Sequence, residues 1–369
     1  MRISELETPV PVVELDRMAR NLDRMAAYAT DHGLALRPHS KTHKSPYVAT
    51  EQIRRGAKGL TCATTRELEV MGEATQDLLL AYPPVGAPRL RRLMQLPPET
   101  RLAVALDSEE AVDSLADAAR AANRSVGVFV ELDVGMHRVG LASAQQAVTL
   151  ARRVAARAPL EYRGLAFYPG HIRGHVAEQD SALHGLATSV GIAIDALERG
   201  GLAPATVSGG STPTMWRTHE IAGVTELRPG TYVYNDRTTA QIGACDREDC
   251  ALTVLATVVS TAVDGQAVID AGTKALGREP LRSEGGGDGF GELLDRPEVT
   301  VTRMSEEHGV LDLSRTSWRP TVGEQVRVIP NHVCIVVHLN DVIQGVRGSD
   351  VVVSWPVEAR GRQAMPRRR

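Results

Sequence analysis

Lysine is nearly absent from this chain. Four lysines, Lys41, Lys44, Lys58 and Lys274, stand against 38 arginines in 369 residues. A composition so biased replaces lysine wherever only positive charge is needed. A retained lysine therefore points to amine chemistry closed to a guanidinium, namely proton release or imine formation. Aromatic residues make up 4% of the chain, the net charge is −3, and no basic stripe carries interleaved aromatics, which argues against a nucleic-acid surface. The four cysteines, Cys62, Cys245, Cys250 and Cys334, show no disulfide-framework spacing, so a reducing cytoplasm is expected. No apolar run is long enough to span a bilayer, and Met1–Glu7 lacks the apolar core of a signal peptide.

What is present is a repeating texture. From residue 34 to about 235, short aliphatic strands at 34–38, 59–63, 77–81, 101–106, 125–132, 161–167, 204–208 and 224–227 alternate with amphipathic stretches. The latter include 65–73, 108–122, 143–157 and 178–199. Eight such units predict an α/β fold, a (β/α)8 barrel over residues 14–240, with a helix at about 15–31 ahead of the first strand. Beyond 240 the segments 251–263, 266–270, 309–313, 325–330, 333–339 and 350–356 are rich in Val, Ile and Thr. They predict a β-rich second domain over 241–369, with residues 1–13 packing against it. Glu284–Gly289, despite its glycines, follows no strand and opens no helix, so it reads as a loop and not a phosphate cradle. The basic run at 360–369 reads as a solvated tail.

Active sites of such barrels lie at the C-terminal ends of the strands. Polar and glycine-rich residues collect there. Strand one runs into Arg37-Pro38-His39-Ser40-Lys41-Thr42-His43-Lys44, strand five into Asp133–Gly140, and strand six into Tyr168-Pro169-Gly170-His171. Strand seven is followed by Ser208-Gly209-Gly210-Ser211-Thr212, and strand eight by Arg228-Pro229-Gly230-Thr231-Tyr232. Taken alone, the octapeptide divides evenly between an imine-forming lysine and a basic surface turn. Gly209 and Gly210 would let backbone N–H groups approach an anion, with Ser211, Thr212 and Tyr232 as hydroxyl donors, or they form an ordinary turn. Arg138 would hold a phenolate or carboxylate, or pair with Asp133. Tyr168 and His171 would line a planar ring, or cap the rim. A lysine facing a phosphate cradle is what pyridoxal phosphate requires.

Arg37–Lys44, with Ser208–Thr214 and Pro229–Tyr232, resembles the D-threonine aldolase and D-serine dehydratase family, fold-type III pyridoxal-phosphate enzymes with an alanine-racemase-like barrel and a C-terminal β-domain. The resemblance covers nearly the whole chain. It implies that Lys41 is the Schiff-base lysine. It also implies that Gly209, Gly210, Ser211, Thr212 and Tyr232 hold the cofactor phosphate, and that Arg138 and Tyr168 lie near the ring.

The second motif is Pro330-Asn331-His332-Val333-Cys334. On a strand, His332 and Cys334 would point to one face, and imidazole with thiolate suits zinc. The tripeptide alone favours a strand histidine beside a buried cysteine. The resemblance reverses this, since D-serine dehydratases carry His-x-Cys here where D-threonine aldolases carry His-x-Asp. Zinc is the first expectation, with manganese or magnesium as alternatives. His308 matches a family position without an assignable role. The expected activity is β-elimination from a β-hydroxy-D-amino acid to a keto acid and ammonia, with Lys41 taking the Cα proton and the metal activating the β-hydroxyl. The alternative is retro-aldol cleavage to glycine and an aldehyde. A racemase is disfavoured, because those enzymes draw a second base from a C-terminal tyrosine and none of the seven tyrosines lies beyond Tyr234. A non-catalytic pyridoxal-phosphate carrier is disfavoured by the large β-domain. Expected partners are a small D-amino acid and a second copy of the chain, with no nucleic acid and no membrane.

Overall fold

Aliphatic runs without polar alternation need burial on both faces, and in the computed structural model they form the staves of a parallel barrel. The structure describes residues 1–282 and 287–361. Part of the Glu284–Gly289 loop and most of the basic tail fall outside these residues. After β1 (Val10–Glu14) and α1 (Leu15–Asp31), the barrel strands are β2 (Ala35–Leu36), β3 (Leu60–Cys62), β4 (Asp77–Leu80), β5 (Arg101–Leu106), β6 (Val126–Leu132), β7 (Leu160–Phe167), β8 (Thr206–Gly209) and β9 (Glu226–Leu227). From β3 to β9 each strand pairs in parallel with the next, and β2 pairs with β9 through Ala35↔Glu226 and Leu36↔Leu227. A parallel bridge between His39 and Thr61 closes the ring between β2 and β3. All seven residues of β6 are buried.

Helices α2 (Pro46–Arg54), α3 (Thr65–Met71), α4 (Ala87–Met94), α5 (Glu109–Ala121), α6 (Ala144–Ala155) and α7 (Asp180–Arg199) pack outside. Two of them, α3 and α6, start at side chains that accept from orphan backbone donors. Thr64 Oγ1 takes the Glu67 N–H at 3.1 Å and Ser143 Oγ that of Gln146 at 3.3 Å. Inside the barrel, Leu79, Ala105, Phe129 and Ala166 form an apolar layer. Toward the strand starts Arg37 is clamped by Asp77 at 2.5 Å and Glu226 at 2.9 Å.

The chain then passes through α8 (Arg237–Gln241) into a nine-stranded sheet: β10 (Leu252–Ser260), β11 (Gln266–Ile269), β12 (Gly291–Leu293), β13 (Arg296–Met304), β14 (Gly309–Asp312), β15 (Gln325–Pro330), β16 (Val342–Arg347) and β17 (Asp350–Pro356), with β1 as its ninth member. β1 runs antiparallel to β10 and parallel to β16, so the first strand of the chain belongs to this sheet and not to the barrel. A short helix, α9 (Thr273–Leu276), follows β11.

One expectation is corrected. Residues 333–339 are a helix, α10 (Val333–Leu339), and not a strand. Its valines and isoleucine suggest β-structure by local preference. Burial of Val333, Val336 and Val337, spaced i, i+3, i+4, places one helical stripe on the core instead. Strands β12, β13 and β16 and helices α2 and α4 were not expected. Among the described residues no helix is long and apolar enough to cross a membrane.

Candidate active site

The chain leaves β2 still paired to its neighbour, with Arg37 N–H donating to Leu227 and His39 N–H to Pro229, each at 2.9 Å. It then tightens into a 3-10 turn, Ser40–Thr42, anchored by Ser40 Oγ to the Thr61 carbonyl at 3.0 Å. Lys41 stands on this turn, half-buried at the barrel mouth. The other lysines have different fates. Lys44 is buried against Glu67, Lys274 pairs with Glu307 on the surface, and exposed Lys58 lines a cavity at the opposite end of the barrel. Among the described residues no carboxylate lies within ion-pair distance of Lys41. Its ammonium lies 5.4 Å from the centre of the Tyr168 ring.

Tyr168 receives a second cation, since the Arg138 guanidinium lies 5.1 Å from the same ring centre. Gly170 is required beside it, because a Cβ there would lie 2.2 Å from Tyr168 Cε1. The loop carrying Arg138 is folded by Asp133, whose Oδ1 accepts from the Gly135 and His137 amides at 3.0 Å and whose Oδ2 lies 2.8 Å from His137 Nδ1. Asp133 therefore pairs with His137 and not with Arg138. His171 stands exposed beside this loop.

Across the mouth, Gly210 has φ +91°, a conformation costly for any side chain, and a Cβ there would meet Leu227 at 2.5 Å. Ser211 and Thr212 follow at the start of a 3-10 helix, Thr212–Glu220. The Thr212 hydroxyl accepts from Gly230 N–H at 3.3 Å, which ties this turn to the one after β9. The Gly210 and Thr212 amides make no hydrogen bond to another described group, so two backbone donors remain for an anion.

Two expected members of this cradle have other contacts as well. Gly209 is required by packing, since a Cβ there would lie 2.2 Å from the Phe167 ring. Tyr232 is buried, and its hydroxyl accepts from Gln52 Nε2 at 3.1 Å, away from the mouth. In a 3-10 turn successive side chains diverge by about 120°, so Thr231 reaches the cleft and Tyr232 does not.

Below the mouth, Arg228 is buried, with one terminal nitrogen donating to the Phe167 carbonyl at 2.7 Å and its Nε without an acceptor. Burial lowers its pKa, against the fields of Glu131 and Glu226. Glu131 is buried on β6 with Oε2 lacking a donor, and burial raises its carboxyl above the usual range, against Arg228 and Arg138. An orphaned donor beneath two free amides, beside an unpaired amine and a tyrosine face, fits a planar heteroaromatic phosphate. Arg228 was visible as a charged residue ending a barrel strand, yet sequence reasoning gave it no role.

The His332–Cys334 motif meets the mouth from the other domain, but not as a strand pair. β15 ends at Pro330; His332 is the extended residue that starts α10, and Cys334 sits in its first turn. Asp236, which caps α8 by accepting from Thr239 N–H at 2.9 Å, places its other oxygen 3.0 Å from His332 Nδ1 and accepts from Val333 N–H at 3.2 Å. This leaves His332 Nε2 for Cys334 or a metal. Cys334 Sγ lies 3.3 Å from Thr42 Oγ1. Burial alone would raise the Cys334 thiol, but the His332 imidazole, with Lys41 and Thr42, brings it down to about 7. Burial likewise disfavours the His332 cation, but Cys334 and Asp236 outweigh it and lift it to about 10. Imidazolium and thiolate thus form a proton-sharing pair, and a soft cation could replace that proton. Among the described residues no group of three or more His, Cys, Asp or Glu is placed to hold a metal. Two protein ligands would leave positions for substrate and water. His308 lies exposed in the β13–β14 turn and does not line the cleft.

The alanine racemase N-terminal domain family matches residues 13–238, and a serine dehydratase domain matches residues 251–346. A D-threo-3-hydroxyaspartate dehydratase from Delftia sp. is 33% identical over 95% of this chain and 97% of its own. A solved D-threonine aldolase from Filomicrobium marinum superposes with a TM-score of 0.90 at 32% identity, covering 98% of this chain and 97% of that one. A cysteine-to-alanine variant of a D-threo-3-hydroxyaspartate dehydratase, solved in the metal-free form, gives a TM-score of 0.88 at 30% identity over 96% of this chain and 98% of that one.

Proposed function

The chain belongs to the alanine-racemase-like family that holds the D-threonine aldolases and D-serine dehydratases, and from that membership we propose a pyridoxal-phosphate- and divalent-metal-dependent lyase that eliminates water from β-hydroxy-D-amino acids, giving a keto acid and ammonia. The observation that carries this reading is the contact of Thr42 with Cys334, which puts a His–Cys pair beside the lysine turn.

Gly210, Ser211, Thr212 and Thr231 would take the cofactor phosphate, Tyr168 and Arg138 would flank the ring, and Arg228 would donate to it from below. When bound, pyridoxal phosphate supplies an aldehyde that condenses with amines and a ring that accepts the electron pair left at Cα. Lys41, held without a carboxylate partner, is placed to take the proton from Cα and return it. His332 and Cys334 would hold the metal, whose chemistry there is Lewis-acid activation of a β-hydroxyl. Asp236 fixes the His332 tautomer by accepting from Nδ1–H. Thiolate softness favours zinc over manganese or magnesium.

Retro-aldol cleavage is the second reading, favoured by the 32% identity to a D-threonine aldolase over nearly the whole chain. Purified enzyme with D-threonine, pyridoxal phosphate and zinc or manganese separates the two. 2-Oxobutanoate with ammonia supports elimination. Glycine with acetaldehyde replaces it with the aldolase reading.

Residues 14–240 and 241–369 form the two domains, and a homodimer is the assembly implied by the resemblance. All four cysteines are free thiols, which supports a cytoplasmic setting.

A further inference from the structure

We propose that Arg173 reads an acidic group on the substrate's Cβ, so that the preferred substrate is a β-hydroxy-D-amino dicarboxylic acid of the 3-hydroxy-D-aspartate kind. This rests on the lyase reading above and deepens it.

Arg173 lies beyond β7, on a turn closed by Ile172 N–H donating to the Pro169 carbonyl at 3.2 Å and anchored by the buried Ile172 side chain. Its Nε donates to the Gly170 carbonyl at 2.8 Å, which fixes the back edge of the guanidinium. The two terminal nitrogens make no hydrogen bond and no ion pair with any described residue. Arg173 lines the same cleft as Tyr168, Asp236 and His332. Among the described residues, the other charged side chains of the cleft are already paired. Arg282, the other arginine of the cleft, is paired with Glu279, and Asp236 accepts from His332 and Val333. Among the described residues, the cleft that Arg173 shares with His332 therefore carries a preset fork of donors with no acidic partner.

The chemistry says what would occupy it. An amine held at Lys41 and a hydroxyl held at His332 and Cys334 leave one further substituent on Cβ, beside the hydroxyl and therefore near the His332 wall. Arg173 is half-buried, and hydrogen or methyl there gives its fork no partner. A carboxylate matches it with two parallel charge-assisted hydrogen bonds. A site with a donor fork placed for a polar group discriminates against analogues that leave the fork unpaired.

The test compares wild type with Arg173→Gln, both loaded with pyridoxal phosphate and zinc, on 3-hydroxy-D-aspartate, D-threonine and D-serine. Wild type should favour the diacid in kcat/KM. The variant should lose roughly 10- to 150-fold on it, the worth of a charged hydrogen bond, chiefly through KM. D-threonine and D-serine should stay within about threefold, well inside that difference. Calorimetric titration with D-aspartate and D-alanine, which have no hydroxyl to lose, gives a second readout. Wild type should bind D-aspartate more tightly, and the variant should level the two. Equal losses on all three substrates, or weaker cofactor binding in the variant, would overturn the assignment and move Arg173 to the phosphate or the α-carboxylate. A wild type that consumes D-threonine or D-serine in preference to the diacid overturns the acidic subsite while the lyase reading stands. If none of the three is consumed, the lyase reading fails, and equal binding of D-aspartate and D-alanine then overturns the subsite as well.

Discussion

Thr42 Oγ1 lies 3.3 Å from Cys334 Sγ. One atom belongs to the residue after Lys41 in the barrel, the other to the first turn of α10 in the second domain. The contact joins the amine and the His–Cys pair into one site, although 292 positions separate them in the chain. Asp236 ties the same place from a third direction, as cap of α8 and acceptor for His332. Barrel mouth, connecting helix and β-domain are thereby held in one arrangement.

Lys41→Arg keeps the charge and the 3-10 turn but removes the capacity to form an imine. Turnover should fall by roughly three orders of magnitude or more. The absorption of the protein-linked cofactor should also be lost, while far-UV circular dichroism stays unchanged. Retained activity in this variant would remove Lys41 from the chemistry.

Exhaustive chelation should abolish turnover and leave the cofactor bound, because the proposed metal ligands and phosphate cradle are separate groups. Added zinc or manganese should restore it. His332→Ala and Cys334→Ala should each lower metal affinity and cut turnover at least about a hundredfold, since Lewis-acid stabilisation contributes several kcal/mol to the barrier. Metal content and rate, measured on the same samples, check both statements.

Lys44 and Glu67 form a buried ion pair directly behind the lysine turn, and Glu67 also accepts from the Ala63 N–H at 2.6 Å. Removing one partner strands a charge in the interior. Lys44→Met or Glu67→Leu alone should cost about 3–5 kcal/mol of stability. The double variant should recover much of that loss. Denaturant unfolding of the four proteins completes the cycle, and additive losses would show that the two side chains do not couple.

The barrel was legible because buried parallel strands admit little but aliphatic residues, so each stave announces itself locally. The α10 segment was misread for the converse reason. Val333, Ile335, Val336 and Val337 carry a local preference for strand, and only the packing of 333, 336 and 337 against the core decides otherwise. The lysine, the glycine turn and the His–Cys pair were legible as residue types whose chemistry is rare. Arg228, Glu131 and Arg173 were not. An arginine or glutamate gains a role only when burial removes its solvent or leaves its donors unspent, and that depends on residues far away in the chain.

His43 is fully buried beside Lys41, its Nδ1 accepting from the Ser45 N–H at 3.2 Å, and burial drives its pKa down to about 3 from an ordinary 6.5. Between pH 6.5 and 3 the unfolded chain therefore takes up a proton at this site that the folded chain refuses. Acidification through that window should lower stability by up to about 1.4 kcal/mol per pH unit from this group, with no contribution above pH 6.5. His39, held low by burial and by Lys41, acts in the same direction. His43→Gln should flatten the acid limb by about one proton, read from urea midpoints at stepped pH. An unchanged slope would mean that His43 protonates without unfolding.

Tyr232 separates family expectation from the geometry of this chain. A hydroxyl on the cofactor phosphate would be needed for tight cofactor binding, and its loss would show as weaker pyridoxal phosphate affinity. Here the hydroxyl accepts from Gln52 in the packed layer beneath α2, and Thr231 takes the place facing the cleft. Tyr232→Phe should therefore cost about 1 kcal/mol of stability, the worth of one neutral hydrogen bond plus the stranded amide, and leave cofactor affinity unchanged. Thr231→Val should do the reverse, weakening the cofactor with little change in unfolding. Fluorescence titration of the cofactor into both apo-variants decides between them, because only a residue facing the cleft can alter that curve without altering the fold.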